Sequence, residues 1–270
     1  MSRPRLIATD LDHTLLDAAG HVSPRTRAAL DAARAAGIHV VPVTARQPIG
    51  LRAIADEAGF AGWALCGNGA FGVHLATGDL LFAQEAEPAV IRALAAELDA
   101  RIPGLRYASV RDGGESFVAQ HGYAELADEV DHKRDPRTMG GVPLDEVLGA
   151  PSLKLVIRHP DLPLADIYAA VTGSAVPGFA ATLSGAPFVE VMAAGVTKAS
   201  GLARLCAHLG VDRTDVVAFG DGLNDVEMIE WAGLGVAVAN AVPALQDAAD
   251  EVTASNDADG VASVIERLLD

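Results

Sequence analysis

The sequence predicts an α/β protein in which a parallel sheet carries helices on its faces and a smaller α+β module is inserted into it. Three observations lead there. Short apolar, β-branched runs alternate with helical patterns over residues 1–82. The rhythm breaks from about Ala83 and resumes after Lys198, with the module bounded at 83–184 and the core at 1–82 and 185–270. With 270 residues, 50% of them hydrophobic, the chain is also long enough to bury more than one core without disulfide support.

Arg5 to Thr9 reads as a buried strand. Ser23-Pro24 supplies an N-cap and a first-turn proline, an apolar stripe follows through Ala28, Leu30 and Ala33, and Gly37 closes the helix. Ile38 to Thr44 is the second strand, Pro48 opens a helix to about Gly59, and Trp63 to Cys66 is a short third strand. Within the inserted module, a helix is predicted over Pro88 to Ala100 and another over Leu162 to Val171. Strands are predicted near Leu105 to Arg111, Ser116 to Gln120, Ser152 to His159, Phe179 to Leu183 and Phe188 to Met192. The alternation resumes with a helix from Lys198 to Leu209, a strand Val216 to Phe219, a helix Asn224 to Trp231 and a strand Leu234 to Val238. A short helix near Pro243, a strand Glu251 to Thr253 and a helix from Gly260 complete the chain.

Composition excludes several function classes. A formal charge of −16 argues against a nucleic-acid partner, which requires a basic face. The two cysteines, Cys66 and Cys206, are far apart and have no CxxC or Cys/His spacing, so neither a disulfide framework nor a zinc site is expected and a reducing, cytoplasmic setting fits. The few apolar residues before Asp10 are too short for a signal peptide or a membrane span.

Chemistry concentrates at strand ends. Asp10 and Asp12 follow the first strand, and two carboxylates so placed are costly unless a cation lies between them. A divalent metal facing an anionic substrate answers that need, which points to phosphoryl chemistry. Ligands of an open parallel sheet bind beyond the carboxyl ends of its strands. Thr44 follows the second strand and Asp221, Asn224 and Asp225 follow a later one, so all three clusters should meet at one edge.

Two other patterns lead elsewhere and fail. Gly67-Asn68-Gly69-Ala70-Phe71-Gly72 matches GxGxxG, but strand-like residues follow it, with Gly78-Asp79 as a turn, where a dinucleotide fingerprint must open a helix. A turn or hairpin using Asn68-Gly69 is expected instead. The acidic run from Asp221 to Glu227 has Leu223 at a ligand position of a calcium loop and lacks its glycine. The histidines have no metal-ligand spacing, and His13 occupies a variable place between Asp12 and Thr14.

The segments DLDHTLLD, VPVTARQ, VTKASGL and FGDGLNDVEMIE resemble, in order, the four motifs of the haloacid dehalogenase-like (HAD) hydrolases, the last two being similar to the Cof-type (subfamily IIB) phosphatases. Ala239-Asn240-Ala241-Val242-Pro243 and Asn256 to Ala262 are similar to the same subfamily. The resemblance implies a HAD-like Rossmannoid core and, for the module 83–184, a C2-type cap. It implies a Mg2+-dependent phosphatase of small phosphorylated metabolites, sugar phosphates among them, working through an aspartyl-phosphate.

In that reading Asp10 is the nucleophile and Asp12 the general acid and base. Mg2+ is held by the Asp10 side chain, the Asp12 carbonyl and Asp221, with Asn224 and Asp225 as supports. Lys198 and Thr44 hold the phosphoryl oxygens, with Ala45 in place of the family's usual glycine and its N–H still available. Arg46 and Asn68 are further substrate candidates. In the cap, the alternation of Lys154, Val156 and Arg158 with Leu153, Leu155 and Ile157 predicts one packed face and one cationic face, the latter either solvated or turned to substrate. The alternatives are a dedicated sugar-phosphate phosphatase of the sucrose-phosphate or mannosyl-phosphoglycerate type, a phosphomutase, and a non-catalytic protein that binds phosphometabolites. The intact set Asp10, Asp12, Lys198 and Asp221 argues against the last.

Overall fold

The structure is a computed structural model that describes residues 3–132 and 135–270, with Ile49 through its backbone alone. Its strands are β1 Leu6–Thr9, β2 His39–Pro42, β3 Trp63–Cys66, β4 Phe71–His74, β5 Leu80–Ala83, β6 Arg106–Arg111, β7 Ser116–Ala119, β8 Lys154–Arg158, β9 Phe179–Thr182, β10 Val189–Ala193, β11 Val216–Gly220, β12 Leu234–Ala237 and β13 Glu251–Val252. The helices are α1 Pro24–Ala35, α2 Pro48–Ala58, α3 Pro88–Arg101, α4 Glu129–His132, α5 Leu144–Val147, α6 Leu164–Thr172, α7 Lys198–Leu209, α8 Val226–Trp231, α9 Pro243–Ala248 and α10 Gly260–Leu269.

Two compact units result: Met1–Arg46 with Leu51–Phe82 and Thr197–Asp270, and Gln47–Gly50 with Ala83–Val196. The boundary expected at 184/185 thus falls at 196/197. The cause is β10, which pairs antiparallel with both β8 and β9 and so belongs to the inserted sheet.

The first unit is built on a parallel sheet in the order β13-β12-β11-β1-β2. Every residue of β1, β11 and β12 is buried, as expected of strands covered on both faces. A parallel bridge between Val43 and Leu65 sets β3 beyond β2, and β3 continues antiparallel into β4. Helix α1 starts at Ser23, whose side chain accepts the Thr26 N–H, and buries Thr26, Ala29, Leu30 and Ala33. Ala28 faces outward, one position off the stripe expected from sequence. From β1 the chain passes to β2 on one side, whereas β11 lies on the other. The carboxyl end of β1 is therefore the point where the winding reverses and a ligand site is expected.

The second unit holds an antiparallel sheet in the order β7-β6-β8-β10-β9. Helix α6 packs against β8, β9 and β10, and α3 packs against α6. The opposite face of β8 departs from expectation. Val156 there joins Ala108, Ala119, Tyr123, Met139 and Phe188 in a closed apolar cluster. Lys154 and Arg158, on the same face, are only 6% and 9% exposed, which rules out a solvated cationic face. Lys154 Nζ is 2.5 Å from Glu190 of β10, and Arg158 is 3.3 Å from Asp131 with its guanidinium over the Phe188 ring. Alternation placed both residues on one face correctly. It could not show that Tyr123, Met139 and Phe188 pack on that face, or that Glu190, opposite Val156, meets Lys154.

Candidate active site

The β1 backbone ends with the Asp10 N–H bonded to the Phe219 carbonyl of β11, so Asp10 enters the site from the sheet itself. The chain then turns sharply: the Leu11 carbonyl accepts the N–H groups of Thr14, Leu15 and Leu16, and His13 lies in the left-handed region at φ 60°. Thr14, buried by this turn, donates its hydroxyl hydrogen to Asp221 Oδ1 at 2.7 Å.

Lys198 is the first residue of α7. Its N-cap Thr197 accepts the Ser200 N–H while the Ser200 hydroxyl accepts the Thr197 N–H, fixing where the helix begins. The Lys198 ammonium is fully buried between two carboxylates, 2.9 Å from Asp10 Oδ1 and 2.6 Å from Asp225 Oδ1. Burial opposes its charge, but Asp10 and then Asp225 outweigh that, leaving the lysine pKa above its ordinary range.

Asp225 has no unsatisfied oxygen. Its Oδ2 accepts the N–H groups of Asp221 and Gly222, at 3.1 and 2.9 Å. Gly220 makes room for this fold-back, since a Cβ there would lie 2.5 Å from the Asp225 Cβ.

Asp10, Asp221 and Asp225 bring carboxylate oxygens within 4.8 Å of one another. Burial raises the pKa of Asp10 well above the ordinary carboxylate value, Lys198 opposes the rise, and Asp225 and Asp221 add to it. Asp221 is raised too, by burial and then by Asp225. Three carboxylates facing one ammonium leave an excess of two negative charges, which is the charge of one divalent cation. An all-oxygen, anionic donor set of this kind suits a hard cation such as Mg2+. The residues present therefore fit such an ion.

Asp12 and Arg46 form a two-pronged pair, with Arg46 Nε 2.7 Å from Asp12 Oδ2 and Nη2 on Oδ1. The Arg46 N–H also donates to Thr44 Oγ1 at 3.0 Å, and Thr44 is buried. Arg46, expected to meet substrate, thus lies on the carboxylate expected to move protons. Ala45, half-buried between Thr44 and Arg46, keeps its place in the same turn.

The Gly67–Gly69 turn is tied to this loop. Asn68, at φ 58° and buried, donates its N–H to the Thr44 carbonyl, and its Oδ1 accepts from Asn224 Nδ2 at 3.0 Å. Gly69, at φ 87°, could carry no side chain, because a Cβ would meet the Thr197 carbonyl at 2.4 Å. A turn joins β3 to β4 here, as the failed dinucleotide pattern implied.

Asp10, Asp12, Thr44, Ala45, Arg46, Asn68, Lys198, Asp221, Asn224 and Asp225 are thus linked within one unit, whereas Lys154 and Arg158 pair with carboxylates of the other. Sequence reading assigned no role to Thr14 beyond its place in the segment DLDHTLLD, two residues after Asp12. That spacing was the available signal. Among the described residues no helix is long and apolar enough to cross a membrane.

HMP-PP phosphatase from Citrobacter koseri is 30% identical over 260 residues, covering 89% of this chain and 86% of its own. BT1666 from Bacteroides thetaiotaomicron, a phosphatase of the haloalkanoate (HAD) superfamily, superposes with a TM-score of 0.83 at 25% identity, covering 98% of this chain and 95% of its own. The HAD subclass IIB sugar phosphatase BT4131 shares the fold with a TM-score of 0.84 at 21% identity, covering 97% and 98%. The sequence matches the haloacid dehalogenase-like hydrolase family across residues 7–265, and the chain belongs to that family.

Proposed function

We propose that this hydrolase is a phosphatase of small phosphorylated metabolites, sugar phosphates among them, with Asp10 as nucleophile and Asp12 as proton carrier. The observation that carries the reading is the Asp10 carboxylate, fixed at the end of β1 by a fully buried lysine, with a second carboxylate two residues on held by its own arginine. The family match and the relative named HMP-PP phosphatase support the reaction class.

An Asp10 oxygen attacks phosphorus in line, and the bond from phosphorus to the leaving oxygen breaks as Asp12 gives that oxygen a proton. Water then attacks the aspartyl-phosphate, Asp12 takes its proton, and the phosphorus–Asp10 bond breaks to restore the carboxylate. Both oxygens of Asp12 accept from Arg46, so Asp12 must leave that pair to carry a proton. Lys198 holds Asp10 in line and faces the phosphoryl oxygens, while Thr44 presents a buried hydroxyl beside the same turn. Asp10 and Asp221 would hold Mg2+, which supplies neutralising charge for attack by an anion on an anion. Asp225 instead braces Lys198 and the Asp221 backbone.

The test is phosphate release from a chromogenic ester with Mg2+ or with a chelator, followed by a panel of phosphorylated sugars, nucleotides and cofactors. Asp10→Asn should abolish turnover, and acid quenching should trap phosphate on the wild-type chain but not on the variant. Full turnover in Asp10→Asn preparations free of deamidation would overturn the reading.

A further inference from the structure

The β12–α9 turn and the stretch before α10 reach back to the loop that carries Asp12. Asn240 Nδ2 donates to the His13 carbonyl at 2.8 Å, and Asn240 Oδ1 accepts the Asn256 N–H at 3.0 Å. Asn256 Nδ2 donates to the Leu16 carbonyl at 2.8 Å, and Asp257 Oδ1 accepts the Ala18 N–H at 2.7 Å. The same turn bonds the motif on the other side of the site, where the Val242 N–H meets the Asp221 carbonyl at 2.9 Å. One short turn thus touches both loops that supply the carboxylates.

We propose that Asn240, seated by Asn256, is a positioning residue for phosphoryl transfer that fixes the His13–Thr14 peptide and with it the placement of Asp12 and Thr14. The proposal rests on Asp10 and Asp12 having the roles given above. His13 has a left-handed backbone without being glycine, so its peptide needs outside support to stay in that orientation. The nitrogen of that peptide, the Thr14 N–H, is held by the Leu11 carbonyl at 3.3 Å, and its oxygen, the His13 carbonyl, by Asn240. Rotation of the peptide would move the Asp12 backbone on one side and, on the other, the Thr14 hydroxyl that bonds Asp221. Asparagine suits the place because one planar group must donate to His13 and accept from Asn256. An aspartate there would keep the acceptor but set a carboxylate oxygen against the His13 carbonyl oxygen.

The experiment uses the full chain with a chromogenic phosphate ester and Mg2+, comparing wild type, Asn240→Asp, Asn256→Ala, Asp12→Ala, Asp10→Asn and the pair Asp12→Ala/Asn240→Asp. Misplacement at this distance should lower kcat about 10- to 100-fold in Asn240→Asp, with KM for the ester held within about threefold. Deuterium uptake by residues 11–18 should quicken without metal or ester, a readout independent of turnover. Because Asn240 acts through Asp12, its substitution should cost less than about threefold once Asp12 is alanine. Wild-type kcat and exchange in both asparagine variants, or an undiminished cost in the Asp12→Ala background, would overturn the proposal and leave the bonds as loop stability alone. Should Asn240→Asp not fold, Asn256→Ala carries the same comparison. If Asp10→Asn retains turnover, the catalytic reading itself fails and takes the proposal with it. Loss in Asp10→Asn with full activity in the asparagine variants sinks only the latter.

Discussion

Replacing Lys198 by methionine removes the one ammonium bonded to both Asp10 and Asp225, while keeping most of the buried volume. Both carboxylates then remain buried beside Asp221 without their cation. Breaking a buried ion pair from one side costs about 3–5 kcal/mol, because the partner charge is left uncompensated. At about 2–4 °C per kcal/mol for a chain of this size, the apo protein should melt roughly 6–20 °C lower than wild type at neutral pH. The loss should depend on pH in a fixed direction. Burial already raises Asp10 above its unfolded value in the presence of Lys198, and removing Lys198 raises it further. An acid raised by folding favours the folded state most below its unfolded pKa, and the advantage is lost as pH rises through the folded pKa. The difference in Tm between wild type and Lys198→Met should therefore narrow as pH falls toward the ordinary carboxylate range. The assay is thermal unfolding by circular dichroism with a chelator across that range. Equal Tm values at neutral pH, or a gap that stays constant or widens on acidification, would refute the assignment of Lys198 as the charge that makes the cluster tolerable.

Adding Mg2+ to the chelated wild type should raise Tm with concentration, reaching about 2.7 kcal/mol of added stability at a hundredfold excess over Kd. Asp221→Asn should abolish most of that rise, as followed by calorimetry. Arg46→Ala should lower kcat on a chromogenic ester about 10- to 100-fold, and Arg46→Lys should not restore it, because a lysine cannot reproduce the two-pronged hold on Asp12. Gly220→Ala places a Cβ 2.5 Å from the Asp225 Cβ and should mimic the kinetic loss of Asp225→Ala by displacing that carboxylate, with no ionisable side chain removed. In the inserted unit, Lys154→Met alone should destabilise by about 3–5 kcal/mol, and adding Glu190→Leu should recover much of the loss in denaturant unfolding.

The fold was legible because its signals are local. The fully buried run of β1, the Ser23-Pro24 start of α1 and the Thr197-Lys198 start of α7 each depend on a few neighbouring residues. The strand-end rule then brought Asp10, Thr44 and Asp221 to one edge without any knowledge of side-chain contacts. What escaped was long-range. The strand Phe188 to Met192 reads with the inserted module, but the bound expected at 184/185 falls ahead of it; only the pairing of β10 with β8 and β9 shows that the module runs on to about residue 196. Arg46 was legible as a site cation but not as the partner of Asp12, because the side chain reaches across the turn to a carboxylate 34 residues away.

Lys154 and Lys198 show why a charged residue's role is hard to read from its strand or helix alone. Both are buried lysines beside carboxylates, with 8% and 0% of their side chains exposed. Lys154 meets Glu190 on the sheet face that carries the Val156–Phe188 apolar cluster. Lys198 sits beside three clustered carboxylates, Asp10, Asp221 and Asp225, and in the proposed reading their surplus negative charge is what a divalent cation would balance. Local sequence cannot tell the two apart, because Glu190 and Asp225 lie 36 and 27 residues from the lysines they meet. The imbalance of charge across a buried cluster, visible only once the chain has folded, separates a structural ion pair from a site built for chemistry.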